Sequence, residues 1–193
     1  MAHRLSDIGG LFRKDRSLEI LTHPNPTLYQ LSEPVDTTGD PELAGLISGL
    51  KAAMKTYDGV GMAASQAGVL KRLFVYDISE GSNDPHVLIN PVITAYSSEV
   101  ATADEGCLSF PHIYFPVTRP ARITVEALDE QGQPVVLADL EGLLARVVQH
   151  ECDHLDGIMI IDRAEPHIRK KALRAYATYD QQSEESITIT DEE

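Results

Sequence analysis

The chain has 193 residues, 42% of them hydrophobic and 24% charged, with a formal net charge of −14. That length fits one domain with a sizeable core, and the composition excludes wholesale disorder. No apolar run approaches the ~18 residues of a membrane span, and a surface this acidic argues against binding DNA or other nucleic acid through phosphate contacts.

Residues 1–18 mix Arg4, Arg13, Lys14 and Arg16 with Asp7 and Asp15 and have no apolar core segment, so they read as a loosely ordered arm rather than a secretory signal. The expected location is the cytoplasm. Leu21–Pro34 carries three prolines and reads as extended and turning chain.

A first helix is expected after Gly39-Asp40-Pro41. Asp40 suits an N-cap, and Leu43, Leu46, Ile47, Leu50 and Met54 form one apolar face ending near Asp58-Gly59. Five short strands follow: Leu73–Ile78, Val87–Ile89, Val92–Tyr96, Ile123–Ala127 and Val135–Ala138. Turn residues separate them, Asn90-Pro91 among them, and no crossover helix lies between most of them, which favours antiparallel pairing. A second helix is expected from about Glu141 to Asp156, closed by Gly157, and a third from about Pro166 to Tyr179. From Ser183 onward stand five acids and no base, which leaves −9 on the rest of the chain and reads as a disordered acidic tail. The fold class is α+β: antiparallel sheets around a central helix, with one helix leading in and one trailing out. The expected division is an arm at 1–18, a single catalytic domain at 19–180 and a tail at 181–193.

Three segments carry chemistry. In Gln149–Leu155, His150 and His154 stand four apart on a helix, about 40° apart around its axis, so both imidazoles can meet one metal ion. Glu151 lies beside His150, where it can reach a water without being a ligand. A catalytic metal usually has a third protein ligand. Asp162, Glu165 and His167 qualify by type, and Cys107, in Glu105-Gly106-Cys107-Leu108-Ser109, has the more suggestive setting. Cys152 falls about 200° from His150 and reads as packing. In the third segment, Gly59–Gln66, glycines and small residues leave backbone amides open to a ligand, and Gln66 has a carboxamide that can donate to an oxyanion.

Taken in order, these segments fit the patterns GxGxAAxQ, EGCxS and HExDH, and from Leu21 to Tyr179 the chain resembles the peptide deformylases, in their bacterial type 1 branch. The resemblance implies a metal-dependent hydrolase that removes the formyl group from the N-terminal methionine of nascent peptides. It implies Cys107, His150 and His154 as metal ligands, Glu151 as general base and acid, and Gln66 with the backbone N–H of Leu108 as oxyanion donors. Gly61 would contact the substrate backbone, and Val60, Leu143, Val147 and His150 would line a methionine pocket. Tyr114 stands where another branch has arginine. One divalent ion per chain is implied, ferrous iron by family, with zinc, nickel or cobalt also suited to the ligands. The rival reading is an HExxH metallopeptidase cleaving peptide bonds. Arg169, Lys170, Lys171 and Arg174 on the trailing helix read as a solvated face or as a ribosome-docking surface.

Overall fold

The computed structural model describes residues 18–37, 40–79, 85–179 and 186–190. Most of the arm and most of the tail therefore lie outside the described residues. Leu18 belongs to the core instead, with its side chain buried against Gly49.

Helix α1 (Leu43–Thr56) forms where the apolar periodicity places it and buries Leu46, Ile47, Leu50, Ala53 and Met54. Its start is two residues later than Pro41 because Asp40 caps a preceding turn, its Oδ1 accepting from Glu42 N at 2.9 Å. Five strands make one antiparallel sheet in the order β1 (Gly61–Ala63), β2 (Leu73–Tyr76), β3 (His86–Tyr96), β6 (Arg122–Leu128) and β7 (Pro134–Glu141). Alternation across β2 decides how the layers stack. Leu73 and Val75 join the core under α1, whereas Phe74 and Tyr76 join the core under helix α2 (Gly142–Leu155). The sheet is thus covered on both faces.

The two expected strands around Asn90-Pro91 are one. Asn90 adopts φ 52° and its carboxamide clamps Val35, accepting from Val35 N at 2.7 Å and donating to Val35 O at 2.9 Å. A bulge, not a turn, takes up the irregularity. The largest departure from expectation is a hairpin of β4 (Val100–Cys107) and β5 (Phe110–Pro120), which forms a second sheet with β8 (Ile187–Thr188). Its first strand is exposed from Val100 to Asp104, and its second interrupts the alternation of Ile113, Phe115 and Val117 with Pro111 and Pro116, so neither reads as a clean strand. Behind the hairpin, Phe110, Ile113, Phe115 and Val117 pack on α3 (Ile160–Arg163) and α4 (Pro166–Thr178) in a third core.

Within the tail, residues 186–190 depart from the disorder expected of them. Ile187 and Thr188 pair in parallel with Ile113 and Tyr114, Ile189 N donates to Tyr114 O at 2.7 Å, and Ile189 packs on the third core. Two isoleucines two apart give that stretch an apolar edge which the acids around it conceal.

Helix α2 ends at Gly157, with φ 70°. A Cβ there would stand 2.8 Å from the carbonyl carbon and oxygen of Tyr29, which are backbone and cannot yield cheaply. Gly157→Ala combines left-handed strain with that clash. It should lower the unfolding free energy by about 2–4 kcal/mol in a urea titration.

Candidate metal centre and catalytic pocket

Helix α2 lies between the five-stranded sheet and the β4–β5 hairpin. Its sheet side is apolar, through Ala145, Val148, Cys152 and Leu155. Its other polar groups, Gln149, Glu151, Asp153 and His154, are buried all the same. Such burial is tolerable only if the groups have partners or a ligand.

Cys107, at the end of β4, reaches the helix. One donor atom each from Cys107, His150 and His154 lie within 4.8 Å of one another, the one such grouping of three among the described residues. Cys107 Sγ is 3.1 Å from His154 Nε2. The alternatives for a third ligand are engaged elsewhere or lie outside this group: Asp162 accepts from Met159 N and pairs with Arg169. The two cysteines are free thiols, with Cys152 buried in the apolar core.

A buried ionic network fixes the ligands. Glu105 accepts from His150 Nδ1 at 3.0 Å, from Arg119 at 2.7 and 3.0 Å, and from Arg146 at 2.5 Å. Arg119 continues to Asp153 at 2.8 Å, and Asp153 also holds Arg163. Burial alone would raise the Glu105 carboxyl, but the hydrogen bonds from His150 and Arg119 hold it at about 2. The sequence sets Glu105 in the segment that surrounds Cys107 but gives no sign of Arg119 or Arg146. Arg119 shares a hairpin with Glu105, and recognising that hairpin was the only route to the pair.

The electrostatics suit a cation. Burial disfavours charge on His150, yet the hydrogen bonds to Cys107 and Glu105 carry its pKa well above the ordinary value. Positive charge is therefore stabilised between that thiol and that carboxylate. Burial drives His154 the other way, toward the neutral form that can ligate. Glu151 Oε2 and His154 Nδ1 are buried without a hydrogen-bond partner in the protein. One thiolate and two imidazoles are a donor set for zinc, iron, nickel or cobalt, and the residues present fit such an ion.

Glu151 sits where the first motif allows it. Burial pushes its carboxyl up to about 7, against the charge of His150 and the backbone N–H of Ala63. A Cβ on Gly61 would come within 2.9 Å of Glu151 Cδ and 3.0 Å of Cγ. The carboxylate therefore occupies space that only glycine leaves open. Gln66 is oriented by Ala63 N, which donates to its Oε1 at 2.8 Å, so its Nε2 faces Ser109 Oγ at 3.1 Å and Cys107 Sγ at 3.7 Å.

A cavity of about 460 Å³ opens onto these groups. Val60, Gly61, Gln66, Cys107, Leu108, Tyr114, Leu143, Val147, His150 and Glu151 all line it. Of the expected site residues only His154 lies behind the lining, 1% exposed. Tyr57, Asp58, Asp104, Pro111, His112 and Arg146 line it as well, and none was anticipated as part of the site.

A thiol and two imidazoles gathered at a point, with a carboxylate beside them that keeps one oxygen unpartnered and a cavity in front, define a metal-dependent hydrolase. Comparison with known proteins narrows that class. Residues 17–170 match the polypeptide deformylase family, and the chain belongs to it. It is 47% identical over 152 residues to a peptide deformylase of Treponema pallidum, which covers 79% of this chain and 91% of that protein. A peptide deformylase of Azotobacter vinelandii is 44% identical over 145 residues, covering 75% and 85%. Among solved structures, a peptide deformylase from Legionella pneumophila superimposes with a TM-score of 0.77 at 38% identity, covering 82% of this chain and 92% of that one. No helix among the described residues is long and apolar enough to cross a membrane.

Two substitutions probe the architecture of the centre. Gly61→Ala should displace Glu151 and lower kcat/KM by about 100-fold or more while the fold survives, which circular dichroism and a rate assay would separate. Arg119→Met leaves Glu105 and Asp153 under-compensated in the interior, so the melting temperature should fall by roughly 6–12 °C, corresponding to about 3 kcal/mol.

Proposed function

We propose that the chain removes the N-formyl group from methionine at the start of nascent peptides and releases formate, in the cytoplasm where such chains emerge. The convergence of Cys107, His150 and His154 beside Glu151, whose Oε2 is buried without a partner, carries this reading. Membership of the family supports it over the HExxH metallopeptidase.

In this reading Cys107, His150 and His154 hold one divalent ion, ferrous iron by family kinship. When bound, the ion supplies Lewis acidity, making a water easier to deprotonate and a carbonyl more electrophilic. Glu151 accepts the proton of the attacking water, and its raised pKa suits a group that must take a proton and then give it up. As the C–O bond forms, negative charge grows on the formyl oxygen. Gln66 Nε2, held toward the site by Ala63, and the backbone N–H of Leu108 donate to it. Each donor of this kind contributes about 3–4 kcal/mol of transition-state stabilisation. The C–N bond then breaks, Glu151 returns the proton to the departing amine, and formate leaves. Gly61 meets the peptide backbone. Val60, Leu143, Val147 and Tyr114 line the apolar space for an unbranched thioether side chain.

For a ribosome contact, helix α4 offers Lys170 and Arg174, both exposed, whereas Arg169 pairs with Asp162 and Lys171 donates to Thr190 O.

Glu151→Gln should retain one metal equivalent per chain by elemental analysis and lose about 10²–10⁴ in kcat for formate release from a formyl-methionyl peptide. Removing the ion with a chelator should abolish release in the parent, and adding ferrous ion back under anaerobic conditions should restore it. Activity on unblocked peptides alone, or activity that resists the chelator, would refute the reading.

A further inference from the structure

One wall of the cavity is not held by the hairpin that carries it. Pro111, His112 and Tyr114 line the cavity from the start of β5. Along that stretch the ladder with β4 jumps from Cys107 opposite Phe110 to Glu105 opposite Phe115. Residues 111–114 therefore bulge outward, with Gly106 alone across from them. Pro111 has no N–H to give to a ladder. His112 adopts φ 63°, a left-handed conformation that a residue with a side chain keeps only where its surroundings impose it.

Those surroundings come from the C-terminal end of the chain, beyond residue 170, where the family match stops. Tyr179, which closes α4, stacks its ring on His112, with centroids 4.8 Å apart and planes 17° apart. Strand β8 sets Ile187 beside Ile113 and Thr188 beside Tyr114, and Ile189 N donates to Tyr114 O at 2.7 Å. The strand is anchored in turn, because Ile189 packs on the third core and Lys171 Nζ donates to Thr190 O at 3.3 Å. The bulge is thus fastened at His112, Ile113 and Tyr114, along the edge that β4 does not reach. The hold passes inward. The Tyr114 ring fills the space beside Gly106, where a Cβ would meet its Cδ1 at 2.8 Å, and Gly106 precedes Cys107. Tyr179, Ile187 and Ile189 themselves line no part of the cavity.

We infer that the C-terminal segment is a clasp on the catalytic cavity, with Tyr179, Ile187 and Ile189 as positioning residues that hold the His112–Tyr114 wall in its working place. The inference rests on the deformylase reading and adds to it residues that act through the wall. Helix α2 and its histidines do not depend on the clasp, so releasing it weakens the hold on the peptide and spares the chemical step.

The test undocks the strand with Ile187→Asp and Ile189→Asp together. Formate release from a formyl-Met-Ala-Ser peptide should then show KM raised about three- to tenfold with kcat within about twofold of the parent. The variant should retain one metal equivalent per chain, and hydrogen exchange should quicken at the amides of residues 112–115 but not in α2. Ile189→Pro, which removes the N–H that Tyr114 O accepts and adds no charge, should behave in the same way. Ile189→Val keeps the apolar contact and the N–H and should match the parent. An unchanged KM in both undocked variants, exchange at 112–115 that does not quicken, or a loss of kcat and metal alongside the rise in KM would overturn the inference while leaving the deformylase reading in place. No release from the parent would overturn that reading, and this inference with it.

Discussion

A single buried carboxylate organises the functional half of the molecule. Glu105 is 6% exposed and carries a charge that the interior would reject on its own. It is kept because two guanidiniums and an imidazole converge on it, from β5 and from two turns of α2. The consequence is mechanical as well as electrostatic. The hairpin that delivers Cys107 and the helix that delivers His150 cannot slide past each other without breaking bonds that no water would replace. Arg119 extends the constraint through Asp153 to Arg163, so α2 is tied to the hairpin and to the start of the C-terminal helices at once. A ligand set drawn from one hairpin and one helix needs such a brace.

The first motif answers a different demand, one of space. Strand β1 passes so close to Glu151 that a single methyl group would collide with the carboxylate. Burial raises the Glu151 carboxyl to about 7 against the backbone N–H of Ala63 on that strand, and the same stretch brings Gln66 Nε2 to 3.7 Å from Cys107 Sγ. The backbone of Leu21 donates to Gln66 O and that of His23 to Ser109 O, both at 2.8 Å, so the extended N-terminal segment clasps the first and second motifs together. Three stretches of sequence with no evident relation are thereby one packed unit.

Much of this was legible in the residues. The three helices lie where their apolar periodicity and terminators place them, because each buries one face against a sheet and must announce that face in sequence. The central strands declared themselves by β-branched runs for the same reason. The β4–β5 hairpin did not, although it supplies Cys107, Glu105, Tyr114 and Arg119. Its first strand is exposed through Asp104 and turns inward only at the charged Glu105, and its second buries Ile113, Phe115 and Val117 at alternate positions in a run that prolines interrupt and Arg119 ends, so its pattern does not announce a strand. The ligands were readable as types and spacings, but the arginines that hold them were not. An ion pair across a hairpin leaves no periodic trace, and it becomes visible only when the register sets Glu105 and Arg119 on facing strands. The tail shows the converse error, since its acidic composition masks the isoleucine edge that docks beside Tyr114.

The division of labour between the two cysteines follows from the same geometry. Cys152 sits inside the ligand motif by sequence, yet it lies on the sheet side of α2 among Leu155, Val148 and Phe74, and burial pushes its thiol up to about 12. At neutral pH it stays protonated and cannot become a ligand without ionising in an apolar core. Cys107 is only partly buried and receives donors from Gln66 Nε2 and from Ser109 N at 3.4 Å. Sequence proximity to the histidines would have favoured the wrong sulfur. The helical angle of about 200°, the apolar burial of Cys152 and the approach of Cys107 to both histidines decide for the distant one, which makes the hairpin, rather than the helix motif alone, the element that turns a pair of imidazoles into a metal centre.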